Sequence, residues 1–295
     1  MSIPVDTWCL QCLLNRHLEL VRPLGSDKKA HEFMKRLLRL YLDAPEDIPS
    51  PWLGPATADL LLEMYGLPLD RYRQEKEDSN RFVLERMDHI RSMVRSAPDP
   101  VYAGLQFSIL GNYLDFAALR HEVSFDKLDD MLSGALQMSL DRKVYDKLCQ
   151  DLAEGKKLLY LTDNAGEIGF DRIFAEEIAA RYPHLDITFC VRGDITANDA
   201  TREDAAAVGI PFPVIDNGTR IAGTILEQLG SDARRALEES HVVIAKGMAN
   251  VETMWGCPYN VYYAFLVKCP KFAAYFNRPK FTPLLVQHQP KEAFL

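Results

Sequence analysis

The chain has 295 residues, with 34 Lys and Arg against 42 Asp and Glu, for a net charge of −8. An apolar share of 47% beside 26% charged residues excludes a disordered or low-complexity chain and provides for a substantial core. The acidic balance, without a basic block, argues against nucleic acid as the main partner, while anionic small molecules remain possible.

No apolar run approaches the roughly 18–20 residues that span a bilayer, and the first residues lack the basic and apolar regions of an export signal. Six cysteines, with only Cys9 and Cys12 close together, are too few for a disulfide-stapled scaffold. The chain therefore reads as a reduced, cytoplasmic protein with no membrane association.

Up to about residue 150 the apolar residues recur at helical spacing, as in Ala30, Met34, Leu37 and Tyr41, and in Val83, Met87, Ile90 and Val94. Pro45, Pro49, Pro51 and Pro55 break this pattern once, and Pro98 and Pro100 break it again. Helices joined by Pro-rich turns are expected. Beyond Gly155 short strand-like runs appear at 158–162, 187–191, 213–215, 242–245 and 262–267. Helical patterns separate them at 167–182, 199–208 and 221–229, two of them stopped by Gly209 and Gly230. This β-α-β repetition predicts an α/β fold. Residues 1–150 are expected to be helical and residues 151–295 to form a mostly parallel sheet covered by helices, with the two halves packed closely.

Ligands of open parallel sheets bind beyond the carboxyl ends of the strands. Here those ends are polar in succession: Thr162 to Glu167, then Arg192, Asp194, Asn198 and Asp199, then Asp216 and Asn217, then Lys246, Gly247, Asn250 and Glu252. A turn or a helix cap accounts for any one of these, but their convergence on one rim points to a ligand site. With a helix beginning near Ala165, Asp163, Glu167 and Asp171 fall at i, i+4 and i+8, and the first two face the sheet's mouth. Carboxylates there repel a bare phosphate, so they imply a divalent cation between protein and anion. Asp163, Asn164 and Asp199 would supply hard oxygen ligands suited to Mg or Mn, and Lys246 a point charge on the anion.

Competing sites lack their signatures. The glycine pattern of a dinucleotide fold, the Gly-Lys-Ser/Thr of a P-loop and the G-x-S-x-G elbow are all absent. A haloacid-dehalogenase-type phosphatase is closer in logic, but its second Asp is Ala165 here. Cys9 and Cys12 have no nearby pair of soft ligands to complete a zinc site and are assigned to packing or an occasional disulfide. The seven histidines, His121 among them, show no metal-ligand spacing.

The stretches Asp163-Asn164-Ala165-Gly166-Glu167-Ile168, Asn198-Asp199-Ala200-Thr201, Asp216-Asn217-Gly218-Thr219 and Lys246-Gly247-Met248-Ala249-Asn250-Val251-Glu252 resemble the metal-dependent damage-control phosphatases, once a domain of unknown function numbered eighty-nine. Gly111 to Asp115, Cys9 to Cys12 and Lys268-Cys269-Pro270 extend the resemblance over nearly the whole chain, and the Cys-x-x-Cys is that of the microbial branch. The resemblance implies a helical N-terminal domain, 1–150, packed on a Rossmann-like α/β domain, 151–295, and a phosphatase of small phosphorylated metabolites, such as sugar phosphates or damaged phosphometabolites, using Mn, Co, Ni or Mg. It implies metal ligation by Asp163, Asn164 and Asp199, with Glu167, Arg192, Asn198, Lys246, Gly247 and Asn250 lining the pocket and Asn112 and Asp115 reaching in from the helical half. Attack on phosphorus by a water that Asp163 or Glu167 orients, and attack by Asp163 itself, both fit. The other readings are an S-adenosylmethionine-dependent carboxyl methyltransferase, whose glycine-rich loop is missing, and a non-catalytic metabolite-binding module.

Overall fold

The structure, a computed structural model, describes residues 2–119 and 122–288; His121 lies outside the described residues. Helices come first: α1 (Thr7–Val21), α2 (Asp27–Leu42), α3 (Gly54–Tyr65), α4 (Arg73–Ser96), α5 (Pro100–Gly111), α6 (Phe116–Leu119), α7 (Phe125–Ser133) and α8 (Arg142–Glu154). Asp6, Ser26, Asp99, Ser124 and Asp141 cap five of these with side-chain oxygens that accept from first-turn N–H groups. Strands and helices then alternate through β1 (Lys157–Leu161), α9 (Glu167–Arg181), β2 (Asp186–Val191), α10 (Arg202–Ala207) and β3 (Val214–Asp216). The chain continues through α11 (Ser231–Glu239), β4 (Val242–Lys246), α12 (Gly247–Met254), β5 (Val261–Leu266), α13 (Pro270–Tyr275) and β6 (Pro283–Gln287).

The sheet order is β3-β2-β1-β4-β5-β6, with β1 to β5 parallel and β6 antiparallel against β5. The α/β class and the five predicted strands agree with the sequence pattern to within a residue or so at each end. Two elements differ. Residues 221–229 contain only a 3-10 turn, Leu226–Gln228, and no α-helix. Gly230 does not stop a helix but starts one, as the N-cap of α11. The cause is Gly223, whose φ of +79° leaves the helical region and whose missing Cβ makes room for the Ala249 carbonyl.

Alternation along each strand divides the apolar side chains between two faces. Leu158, Tyr160, Ile187, Phe189, Val242, Ile244, Tyr262 and Ala264 join one core with α4, α5, α8 and α9. Leu159, Leu161, Val243, Ala245, Tyr263 and Phe265 join a second with α11, α12 and α13. Helices α1 to α3 share a smaller cluster around Phe33 and Leu61. Strand order reverses between β1 and β4, so the loops that leave these neighbours diverge and open a crevice.

Candidate active site

Asp163 comes just after β1 and sits in that crevice, 5% exposed. The loop is held by backbone bonds across strand ends: Ala200 N–H donates to the Asp163 carbonyl at 2.7 Å and Ala165 N–H to that of Asn198 at 2.9 Å. Asn164 and Asp199 thereby face each other in an isolated antiparallel bridge, so the ends of β1 and β2 deliver their polar residues to one place.

Around Asp163 the side chains form a connected network. Asn112 Nδ2 donates to Asp163 Oδ2 at 2.9 Å and to both Glu167 oxygens at 2.9 and 3.0 Å, while its Oδ1 accepts from Leu266 N–H. Asn164 Nδ2 also donates to Asp163 Oδ2 and to Glu167 Oε2, at 2.8 and 2.7 Å. Asn198 in turn donates to Asn164 Oδ1 at 2.9 Å and to the Leu114 carbonyl. Arg192 Nε donates to Asp199 Oδ2 at 2.6 Å, and its Nη2, buried and without a hydrogen bond, stands 3.7 Å from Asp163 Oδ1. The hydrogen bonds to the two aspartates thus fall on Oδ2 of each.

A second, fully enclosed group lies beneath. Lys246 Nζ, at the end of β4, contacts Asp171 Oδ1 at 2.8 Å, Glu167 Oε1 at 3.0 Å, and the Ser108 hydroxyl and carbonyl oxygens, each at 2.7 Å. Ser108 and Tyr160 hydroxyls also donate to Asp171 Oδ1. Asn250 Nδ2 donates to the Lys246 and Thr162 carbonyls, and its Oδ1 accepts from Thr224. Lys246, expected from sequence to be a charge on the anion, is instead committed to buried carboxylates, with no exposed side-chain surface.

One cation that does line the cleft is Lys268, whose Nζ donates to Asp115 Oδ2 at 2.7 Å. It stands just past the end of β5, a strand end to which the sequence pattern alone assigns no ligand role. Asp115, Asp163, Asn164 and Asp199 line a cleft of about 590 Å³, to which α1, α3 and the segment before α4 contribute a helical wall. Glu167, Lys246, Arg192, Asn198, Asn250 and Asn112 stand behind that surface.

Burial, followed by the charges of Glu167 and Asp199, pushes the Asp163 carboxyl well above its usual range. Burial raises Asp199 as well, against the opposing pull of Arg192. Burial works against the Lys246 charge, yet Asp171 and Glu167 outweigh it and hold its pKa above the ordinary lysine value. In all, Asp115, Asp163, Glu167, Asp171 and Asp199 share Arg192, Lys246 and Lys268, an excess of two acidic over basic side chains.

That excess and the donor chemistry fit a divalent cation. Oδ1 of Asp163 and of Asp199 accept no hydrogen bond from a described residue, and the Asn164 carbonyl keeps a lone pair beside its bond from Asn198. Among the described residues no three His, Cys, Asp or Glu side chains converge as a metal cluster by themselves; the set here is two carboxylates and an amide.

Gly247 completes the floor. Its φ is +77°, and a Cβ there would collide with the Asp163 carboxylate. Gly247→Ala is expected to destabilise the protein by about 1–3 kcal/mol and to lower any turnover with it, since relief comes only by moving Asp163. Urea unfolding checks the first effect, and an unchanged midpoint would contradict this packing.

Comparison with known proteins agrees with this architecture. Residues 5–282 match the model of the damage-control phosphatase ARMT1-like domain. A damage-control phosphatase of Archaeoglobus fulgidus is 34% identical over 85% of this chain and 87% of its own. An uncharacterized protein of Methanocaldococcus jannaschii is 31% identical over 92% and 91%. The crystal structure of a DUF89 family protein from Pyrococcus horikoshii superposes with a TM-score of 0.78 at 24% identity, covering 97% of this chain and all of that one, which speaks for the fold. With the family model matched over nearly its full length, the chain belongs to the damage-control phosphatase ARMT1-like family.

Proposed function

We propose that the protein is a divalent-metal-dependent phosphomonoester hydrolase acting on a small phosphorylated metabolite. The observation that carries this reading is the acid excess at the cleft floor, where two aspartates and an amide keep oxygen lone pairs free of hydrogen bonds at the β1/β4 reversal. Carboxylates so placed favour a phosphate ester only with a cation between them. Mn, Co, Ni and Mg suit an all-oxygen set, and when bound such an ion supplies Lewis acidity and neutralises phosphoryl charge.

The chain's residues supply position. Asn112 and Asn164 hold Asp163 through Oδ2 and leave Oδ1 for the reaction, where it would hold the cation and orient the attacking water or would itself attack. Arg192 holds Asp199 and offers its unused Nη2 beside Asp163. Lys268, held by Asp115, takes the role of cation toward the equatorial oxygens, and Lys246 fixes Glu167 from beneath. Met248 and Ala249, in the first turn of α12, line the same cleft, where helix-terminal N–H groups favour a phosphate. The acids leave the methyltransferase reading without a purpose for its anionic floor.

Phosphate release from p-nitrophenyl phosphate tests the reaction, and metal binding tests the site. Mn²⁺ added to chelator-treated protein is expected to raise its thermal midpoint, by about 2.7 kcal/mol of stabilisation at a hundredfold excess over Kd. Asp199→Asn loses most of that gain; a gain of equal size in the variant would place the cation elsewhere.

A further inference from the structure

The helical wall of the cleft carries charge that the strand-end residues do not use. Arg71, in the segment between α3 and α4, lines it with the guanidinium stacked on the Tyr72 ring at 5.0 Å. Its Nε is buried and without a hydrogen-bond partner, and among the described residues the side chain forms no ion pair. Arg16 of α1 lines the same cleft and likewise forms no ion pair with a described residue. The other cations of the cleft are committed: Lys268 to Asp115, Arg220 to Asp59, and Lys271 to the Pro4 carbonyl.

A buried guanidinium N–H without a partner is costly in the free protein and is relieved when an anion enters. Arg16 and Arg71 line the cleft from α1 and the segment before α4, whereas Asp163, Asp199 and Lys268 line it from the strand ends. Resting on the phosphatase reading above, we infer that Arg71, assisted by Arg16, forms a second anion subsite. The preferred substrates are then phosphomonoesters whose leaving group carries a further anionic group at its far end, a carboxylate or a second phosphate. Arg71 binds that group and contributes to affinity and selectivity, with no part in the bond cleavage itself.

Four substrates and two variants test this. The pair glucose 6-phosphate and 6-phosphogluconate shares carbon number and phosphate position and differs in the terminal carboxylate, while fructose 1,6-bisphosphate supplies a second phosphate. Wild-type kcat/KM is expected to favour at least one of the two doubly anionic compounds over glucose 6-phosphate by roughly tenfold or more. Arg71→Gln should collapse that ratio toward one mainly through KM, and Arg71→Lys should restore part of it. p-Nitrophenyl phosphate, which has no second anion, is run beside them on the wild type. Its hydrolysis together with no preference for, or no turnover of, the doubly anionic compounds overturns the subsite and leaves the phosphatase reading intact. A preference unchanged in Arg71→Gln overturns it too, whereas absence of any turnover, p-nitrophenyl phosphate included, removes the phosphatase reading itself.

Discussion

Lys246→Met is expected to destabilise the protein by about 3–5 kcal/mol, because it leaves buried carboxylates without their cation. The ammonium lies 2.8 Å from Asp171 and 3.0 Å from Glu167, and none of the three side chains has exposed surface. Asn112 and Asn164 would still bond Glu167, and Ser108 and Tyr160 would still bond Asp171, but neutral donors do not offset a buried negative charge. The effect carries a pH signature. Burial already lifts Asp171 to about 6 with Lys246 in place, above the ordinary aspartate value, and removing the cation lifts it further. A carboxyl raised in the folded state favours folding while protonated and loses that advantage as pH rises through the folded pKa. The loss in Lys246→Met is therefore smaller near pH 5 and larger near pH 8, roughly spanning that titration. Urea unfolding of wild type and variant at both pH values checks this. A pH-independent loss, or one under about 1 kcal/mol, would show that the ammonium is not what neutralises these acids.

Asp163→Asn should separate stability from activity. Turnover is expected to fall by about 10³-fold or more, since the residue is both a metal ligand and the group nearest the reacting phosphorus in the proposed site. The metal-free fold should be as stable as wild type or more so. Burial and the charges of Glu167 and Asp199 hold the Asp163 carboxyl well above its usual range, so removing one negative charge relieves a crowded set. The substituted amide keeps an oxygen for Asn112 and Asn164. Thermal unfolding of chelator-treated proteins gives the stability, and p-nitrophenyl phosphate gives the rate. A variant both inactive and markedly less stable would show that the carboxylate is structural.

Much of this arrangement is legible in the chain before it folds, for identifiable reasons. Alternating short apolar runs and helical stretches specify a parallel sheet, and such a sheet gathers the loops after successive strands on one edge. Asp163, Asn164 and Asp199 can therefore be grouped from sequence, and they meet at the Asn164–Asp199 bridge. Contacts made by long-range packing are not legible in this way. Ser108 lies 138 positions before Lys246, and nothing local in Lys246-Gly247 reveals that its ammonium is spent on Ser108 and Asp171 rather than on a ligand. Asp171 stands at a helical interval from Asp163, yet its role depends on Tyr160 and Ser108 across the core. Lys268 has a usable signal, a charge directly past the fifth strand. The helix expected at 221–229 shows the converse: its apolar spacing is helical, but Gly223 takes a left-handed backbone to let α12 approach, and periodicity does not record that.

Hydrolysis of p-nitrophenyl phosphate by chelator-treated protein, with Mg²⁺, Mn²⁺, Co²⁺ or Ni²⁺ returned singly, decides whether Asp163, Asn164 and Asp199 form a metal-dependent phosphatase centre. With such a centre, turnover is absent without metal, recovers with at least one of these ions, and does not recover in Asp163→Asn or Asp199→Asn. Turnover that persists without metal, or that survives both substitutions, would contradict it.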